Sequence, residues 1–170
     1  MLTIKAIHAD ITALKVDILV NAAHESLLGG GGVDGAIHTA AGPELLAECQ
    51  TLGGCDPGEV VMTGAYRLPA RKVFHTVGPR WRDGRSGESE RLRSCYGKSI
   101  AMAEAIKAQS IAFPCISTGV FRFPKPLATK IAVDTVLGSI SEPTSLREII
   151  FCCFSEADLA RYLEALDEAL

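Results

Sequence analysis

The chain has 170 residues, 48% of them apolar and 6% aromatic, and a formal net charge of −3. That length suits one domain over residues 1–170 with a single aliphatic core, and the composition argues against disorder. The acidic balance lacks the basic footprint of a nucleic-acid binder, and no apolar run approaches the ~20 residues of a membrane span. Six cysteines (Cys49, Cys55, Cys95, Cys115, Cys152, Cys153) form no C-x-x-C pair, and Met1–Asp10 is not a signal peptide. The expectation is a reduced, soluble, cytoplasmic protein with no nucleic-acid or membrane partner.

Taken in chain order, Leu2–His8 alternates and predicts a strand near a sheet edge. Asp17–Ala22, "DILVNA", is a continuous apolar run typical of a strand covered on both faces. Val33–Ala41 predicts a helix, and Pro43 starts another that runs to about Gln50. Glu59–Ala65 and Lys72–Val77 are β-rich. Glu88–Gln109 reads as a long helix with Leu92, Tyr96, Ile100, Ala103 and Ile106 on one stripe. Ser110–Ile116 predicts a buried strand and Lys125–Ile140 a helix. Glu148–Phe154 is a further buried strand, followed by a helix over Glu156–Leu170 with Leu159, Leu163, Leu166 and Leu170 aligned. Strands alternating with helices predict an α/β fold with a mixed, mostly parallel sheet and helices on both faces. Ligands of such folds sit beyond the carboxyl ends of the strands. Asn21–Gly35, Ser117–Phe123 and Phe154–Glu156 all fall at such ends.

Two of these segments have the chemistry of anion sites. Four consecutive glycines, Gly29–Gly32, precede a helix. A bare backbone there lets N–H groups cradle a phosphate, aided by the positive end of the helix dipole. One glycine would suffice for a plain turn. There is no G-K-[ST], so this is not a P-loop. Gly30-x-Gly32-x-x-Gly35 satisfies G-x-G-x-x-G, but the strand ends about seven residues before Gly29, against the dinucleotide pattern. A nicotinamide-dependent oxidoreductase rests on that match alone. The second loop, Pro114–Pro124, offers Ser117 and Thr118 hydroxyls and amides around Gly119. Cys115 stands where a nucleophile elbow needs glycine, which disfavours a serine hydrolase. His8, His24, His38 and His75 have no metal-ligand spacing with the cysteines, so no metal is expected, and His38 and His75 read as structural.

The segments "ADIT…VDILVNAA", "SLLGGGGVDGAIHTAAGPELLAEC", "LPARKVFHTVGP" and "SIAFPCISTGVFRFP" resemble, in order, those of the macrodomain family and its MacroD-like branch. The resemblance spans roughly Asp10 to Phe154. It implies a three-layer α/β/α fold that binds ADP-ribose without a cofactor. It also implies hydrolysis of O-acetyl-ADP-ribose, or of ADP-ribose esters on acidic side chains of mono-ADP-ribosylated proteins. Carried over by position, Asp10 accepts from the adenine amino group with the Ile11 backbone assisting, and Phe154 lies against the adenine. Gly30, Gly31, Gly32 and Val33, with Ser117, Thr118, Gly119, Val120 and Phe121, wrap the diphosphate. Asn21 and Asp34 face the distal ribose, Asp34 orienting or deprotonating a water.

Each of these residues also has a plainer explanation. Asp34 lies in the first turn of a helix, where an acid is favourable to the dipole. Asp10 can begin a turn, Phe154 can be core, and Asn21 can satisfy loop backbone. The chain also departs from the family pattern. His24 replaces the second Asn of "NAAN", Ala9 replaces a glycine, Phe121 lacks a hydroxyl, and Arg122 stands where a small residue is usual. His24 is then a second general base beside Asp34, or the mark of a module that binds ADP-ribose without turnover.

Overall fold

The computed structural model describes all 170 residues. Strands β1 (Thr3–His8), β2 (Ile18–Ala22), β3 (Val60–Gly64), β4 (Lys72–Thr76), β5 (Ser110–Phe113) and β6 (Glu148–Cys153) form one sheet in the order β1-β6-β5-β2-β4-β3. All neighbours are parallel except β3, which runs antiparallel to β4 at one edge. Helices α1 (Gly32–Ala41) and α2 (Pro43–Gln50) cover one face. Helices α3 (Glu88–Ala105), α4 (Lys125–Ser139) and α5 (Glu156–Ala169) cover the other, which completes the α/β/α sandwich.

Alternation within the strands sorts side chains between the two faces. Ile18 and Val20 of β2 and Phe74 of β4 join Leu92, Tyr96, Ala132 and Val136 of α3 and α4. Leu19 of β2 and Val73 of β4 join Ile37, Leu45 and Cys49 of α1 and α2. The central strands therefore need apolar residues at nearly every position, which is why they read as continuous runs. The outermost β1 keeps one wet side, hence its alternation.

The structure corrects several expectations. Helix α3 stops at Ala105, four residues short of the expected Gln109, because Lys107 takes a left-handed φ of +58°. Ala108 N–H then reaches back to Ala103 O at 2.9 Å, a Schellman-type close with lysine where glycine is usual. Strand β5 ends at Phe113 rather than Ile116, since Pro114 has no N–H for the ladder. The inner stripes also differ. Ile106 is exposed, and in α5 the buried residues are Tyr162 and Leu166, while Leu163 and Leu170 face solvent. A 3₁₀ turn at Ile11–Ala13, not foreseen, follows β1. No helix is long and apolar enough to cross a membrane.

Candidate functional site

Strands β1, β6, β5 and β2 lie side by side and parallel, so their carboxyl ends share one edge of the sheet. At the usual strand spacing that edge spans about 14 Å from β1 to β2. The expected site residues fall along it in order: Asp10 and Ile11 after β1, Phe154 after β6, Ser117–Phe121 after β5, and Asn21 to Asp34 after β2.

At the β1 end, Asp10 caps the 3₁₀ turn. Its Oδ1 accepts from the Thr12 hydroxyl at 2.7 Å and the Thr12 N–H at 3.0 Å. These two bonds hold the carboxyl below the usual carboxylate range, and both use the same oxygen, leaving Oδ2 open. Ile11 is buried beneath it. The Phe154 ring is 92% exposed, so it is not core; only its carbonyl is engaged, by His8 Nε2 at 3.2 Å.

In the middle lie two sets of donors with nothing in the protein to receive them. Helix α1 has no side-chain cap at Gly31, and its first internal bond is made by the Gly35 N–H. The Gly32, Val33 and Asp34 amides thus have no acceptor, as the first turn of a helix requires. In the second loop the backbone bonds belong to the Arg122 and Phe123 N–H groups, at Gly119 O and Ser117 O, both 3.0 Å. The amides of Thr118, Gly119, Val120 and Phe121 donate to no protein atom. Ser117 and Arg122 bracket this turn with φ of +67° and +61°, strain of the kind stored at ligand loops. The loop is braced from outside. Trp81 N–H donates to Phe121 O at 2.8 Å, the Arg80 guanidinium lies 5.1 Å from the Phe121 ring centre, and Trp81 packs edge-on against Phe123. Arg122 itself is exposed and in no ion pair.

The β2 end holds a buried carboxylate. Asp34 is 5% exposed on the first turn of α1. Asn21 Nδ2 donates to its Oδ1 at 2.9 Å, and the His24 main-chain N–H to its Oδ2 at 3.2 Å. The carboxylate is thus more than a helix cap: two separate segments aim it. The His24 imidazole does not face it. Its Nδ1 accepts from the Ser26 N–H at 3.1 Å and meets Ser26 Oγ at 2.9 Å, so the expected second base reaches Asp34 through its backbone alone. Two residues expected to be structural belong to this cluster. His38 stands one turn beyond Asp34 with Nε2 3.5 Å from Oδ1, a pair that the i, i+4 spacing of "DGAIH" announces. His75 Nδ1 lies 3.1 Å from Asn21 Nδ2. The buried side-chain polar atoms that make no hydrogen bond are Asn21 Oδ1, Ser117 Oγ and His38 Nε2, whose 3.5 Å approach to Asp34 is a contact and not a hydrogen bond; all three lie at this edge. Buried orphans are rare in folded chains and mark places where a ligand or water completes the bonding.

Close approach of backbone explains glycines beyond the opening run. A Cβ on Gly35 would stand 2.4 Å from Gly30 O, and one on Gly78 2.1 Å from Ser117 Oγ. The first contact presses the glycine loop onto α1, and the second seats the β5 loop against the end of β4.

Comparison with known proteins gives the fold a family. Residues 20–132 match the Macro domain family. A Macro domain-containing protein of Ralstonia nicotianae is 55% identical over 98% of this chain and 96% of its own length. An O-acetyl-ADP-ribose deacetylase of Citrobacter rodentium is 50% identical over 97% and 96%. Among solved structures, the Oceanobacillus iheyensis macrodomain with ADP superposes with a TM-score of 0.94 at 39% identity, covering 99% of this chain and 92% of that one. The Trypanosoma brucei macrodomain in complex with ADP-ribose gives 0.89 at 42% identity, covering 96% and 68%. With its sheet order, its unpartnered strand-tip amides and these relatives in agreement, the chain belongs to the Macro domain family.

Proposed function

We propose that this chain binds ADP-ribose along the β1-to-β2 edge and hydrolyses O-acetyl-ADP-ribose there, and by the same chemistry ADP-ribose esters on acidic protein side chains. The observation that carries the reading is the run of unpartnered amides in two adjacent loops leading to a buried, doubly held carboxylate. Amides of Gly32 and Val33 and of Thr118–Phe121 would take the diphosphate oxygens, an arrangement that needs no metal or cofactor. Asp10 Oδ2 and Phe154 would hold the adenine, and the distal ribose would come to rest at Asn21 and Asp34. Asp34 then positions a water for attack on the ester carbonyl and draws off its proton. The water oxygen ends on the acyl carbon, the acyl–oxygen bond breaks, and the ribose oxygen takes a proton. Six unpaired cysteines suit a reducing compartment, so we place this chemistry in the cytoplasm.

One observation favours a second reading, a module that binds without turnover: the His24 ring is committed to Ser26. Calorimetry with ADP-ribose and a turnover assay with O-acetyl-ADP-ribose separate the two. The hydrolase reading expects binding and turnover in the wild type, and binding with turnover lost by about 100-fold or more in Asp34→Ala. Binding without wild-type turnover selects the second reading. Absence of binding at millimolar ADP-ribose contradicts both.

A further inference from the structure

The sheet register places three polar side chains in a row behind Asp34. Asn21 of β2 is the direct cross-strand partner of His75 on β4, and His75 is in turn opposite Val61 of β3, two residues from Thr63. All three side chains lie on one face, and all three are buried. His75 Nε2 is 2.8 Å from Thr63 Oγ1, and the Thr63 hydroxyl donates to Gly64 O at 3.0 Å.

The direction of every bond in this row follows from its ends. A carboxylate only accepts, so the Asn21 atom at Asp34 Oδ1 is the amide nitrogen. That same nitrogen faces His75 Nδ1, so its second N–H donates to the ring and Nδ1 carries no proton. The proton of the neutral ring then sits on Nε2 and goes to Thr63 Oγ1, whose own hydrogen goes to Gly64 O. Turning the Asn21 amide over would set its oxygen against the Asp34 carboxylate. Protonating His75 Nδ1 would set N–H against N–H. Burial, with His38 nearby adding to it against a weaker pull from Glu48, lowers His75 to about 4, which keeps the ring neutral as the row requires.

We propose that His75 is a positioning residue for the hydrolysis: held as the Nε2–H tautomer between the Asn21 amide and the Thr63 hydroxyl, it locks the amide that aims Asp34. The proposal rests on the hydrolase reading above. His75 is fully buried and Thr63 nearly so, so neither is a catalytic residue. Their effect passes through Asn21, and it acts on the rate far more than on binding, which the diphosphate amides and the adenine end carry.

The test compares Thr63→Val with Thr63→Ser. Valine matches threonine in shape and suits an edge strand, while serine keeps the hydroxyl. In Thr63→Val the Nε2–H loses its oxygen acceptor, and the ring is left with the Asn21 amide at Nδ1 and the Cys49 Sγ at 3.9 Å from Nε2 as its polar neighbours, a weaker hold on its position. The expected result is a kcat for O-acetyl-ADP-ribose lowered about 10- to 100-fold. KM and the ADP-ribose Kd should stay within about twofold, and Thr63→Ser should restore most of the rate. A merely structural threonine would change melting temperature and leave kcat alone. Side-chain ¹⁵N NMR of His75 is an independent readout: protonated Nε2 and bare Nδ1 in the wild type, altered in Thr63→Val. Equal kcat in the two variants, or a wild-type ring protonated on Nδ1, overturns the proposal. Should the wild type bind ADP-ribose without turning over ester, the hydrolase reading fails and the role in hydrolysis fails with it. The ¹⁵N spectra would still report whether the row of bonds exists.

Discussion

Gly35→Ala sets two opposed effects against each other. Gly35 lies inside α1, and its φ is not in the left-handed region, so alanine can adopt the same backbone. Helix propensity alone would make the variant more stable by about 0.8–1 kcal/mol. The new methyl, however, would stand 2.4 Å from Gly30 O, roughly 1 Å inside ordinary contact. Its neighbour is backbone, which cannot swing aside as a side chain would. Overpacking of this kind costs about 1–3 kcal/mol, which outweighs the propensity gain and predicts a net loss of up to about 2 kcal/mol. Relief requires the Gly29–Gly32 loop to lift off the helix, and its amides move with it. Each hydrogen bond to a charged oxygen contributes about 1.5–3 kcal/mol, so displacing one weakens ADP-ribose binding by about tenfold or more. Gly138→Ala is the matched control. It too is helical, in α4, but a Cβ there meets nothing within 4 Å, and it should gain about 0.5–1 kcal/mol. Urea unfolding and calorimetry of the two variants decide the matter. A Gly35→Ala protein as stabilised as the control, with undiminished affinity, would refute the close-approach argument.

Three further outcomes follow from the geometry. Glu88, buried at the start of α3, accepts from the N–H groups of Arg82, Asp83, Gly84 and Ser86. Burial alone pushes its carboxyl up, but these donors together hold it at about 2. Its folded pKa is below the ordinary 4.5, so its stabilisation is complete above pH 4.5 and is lost as pH falls through about 2. Glu88→Gln should melt lower at neutral pH and lose less stability on acidification; denaturation curves that run parallel for the two proteins between about pH 5 and pH 2 would contradict this. Phe154→Ala should leave stability unchanged, the ring being exposed, and weaken ADP-ribose by about 1–3 kcal/mol, the usual size of base–aromatic stacking. A lower melting point with unchanged affinity would assign the ring to packing. His24→Asn should keep turnover within about threefold, because Asp34 is held by the backbone N–H at that position; a change beyond about tenfold would show that the imidazole takes part.

What was legible in the sequence follows the physics of each element. Central strands such as Glu148–Cys153 announce themselves because both faces are buried. The end of α3 did not, because lysine in a left-handed conformation leaves no compositional mark. Leucine spacing alone does not find the inner face of α5, because leucines lie on two stripes and the buried one runs through Tyr162 and Leu166. Asp10 is a turn cap through Oδ1, as its plainer reading expects, and its Oδ2 is left open as an acceptor. His38 was within reach of the i, i+4 rule. The Asn21–His75–Thr63 row was not, since it depends on the pairing register of three strands, and nothing local to "KVFHT" reports which residue will stand beside Asn21. The demand for glycine at position 78 is likewise a tertiary fact, set by Ser117 and Ile116 far along the chain, whereas that at position 35 comes from Gly30 O in the loop just before the helix.

The most direct measurement is a crystal structure of the protein soaked with ADP-ribose. The account predicts the diphosphate between the amides of Gly32–Val33 and those of Thr118–Phe121, the adenine against Phe154, and the distal ribose within hydrogen-bonding reach of Asp34. Phosphates lying outside those two loops, or a distal ribose turned away from Asp34, would contradict it.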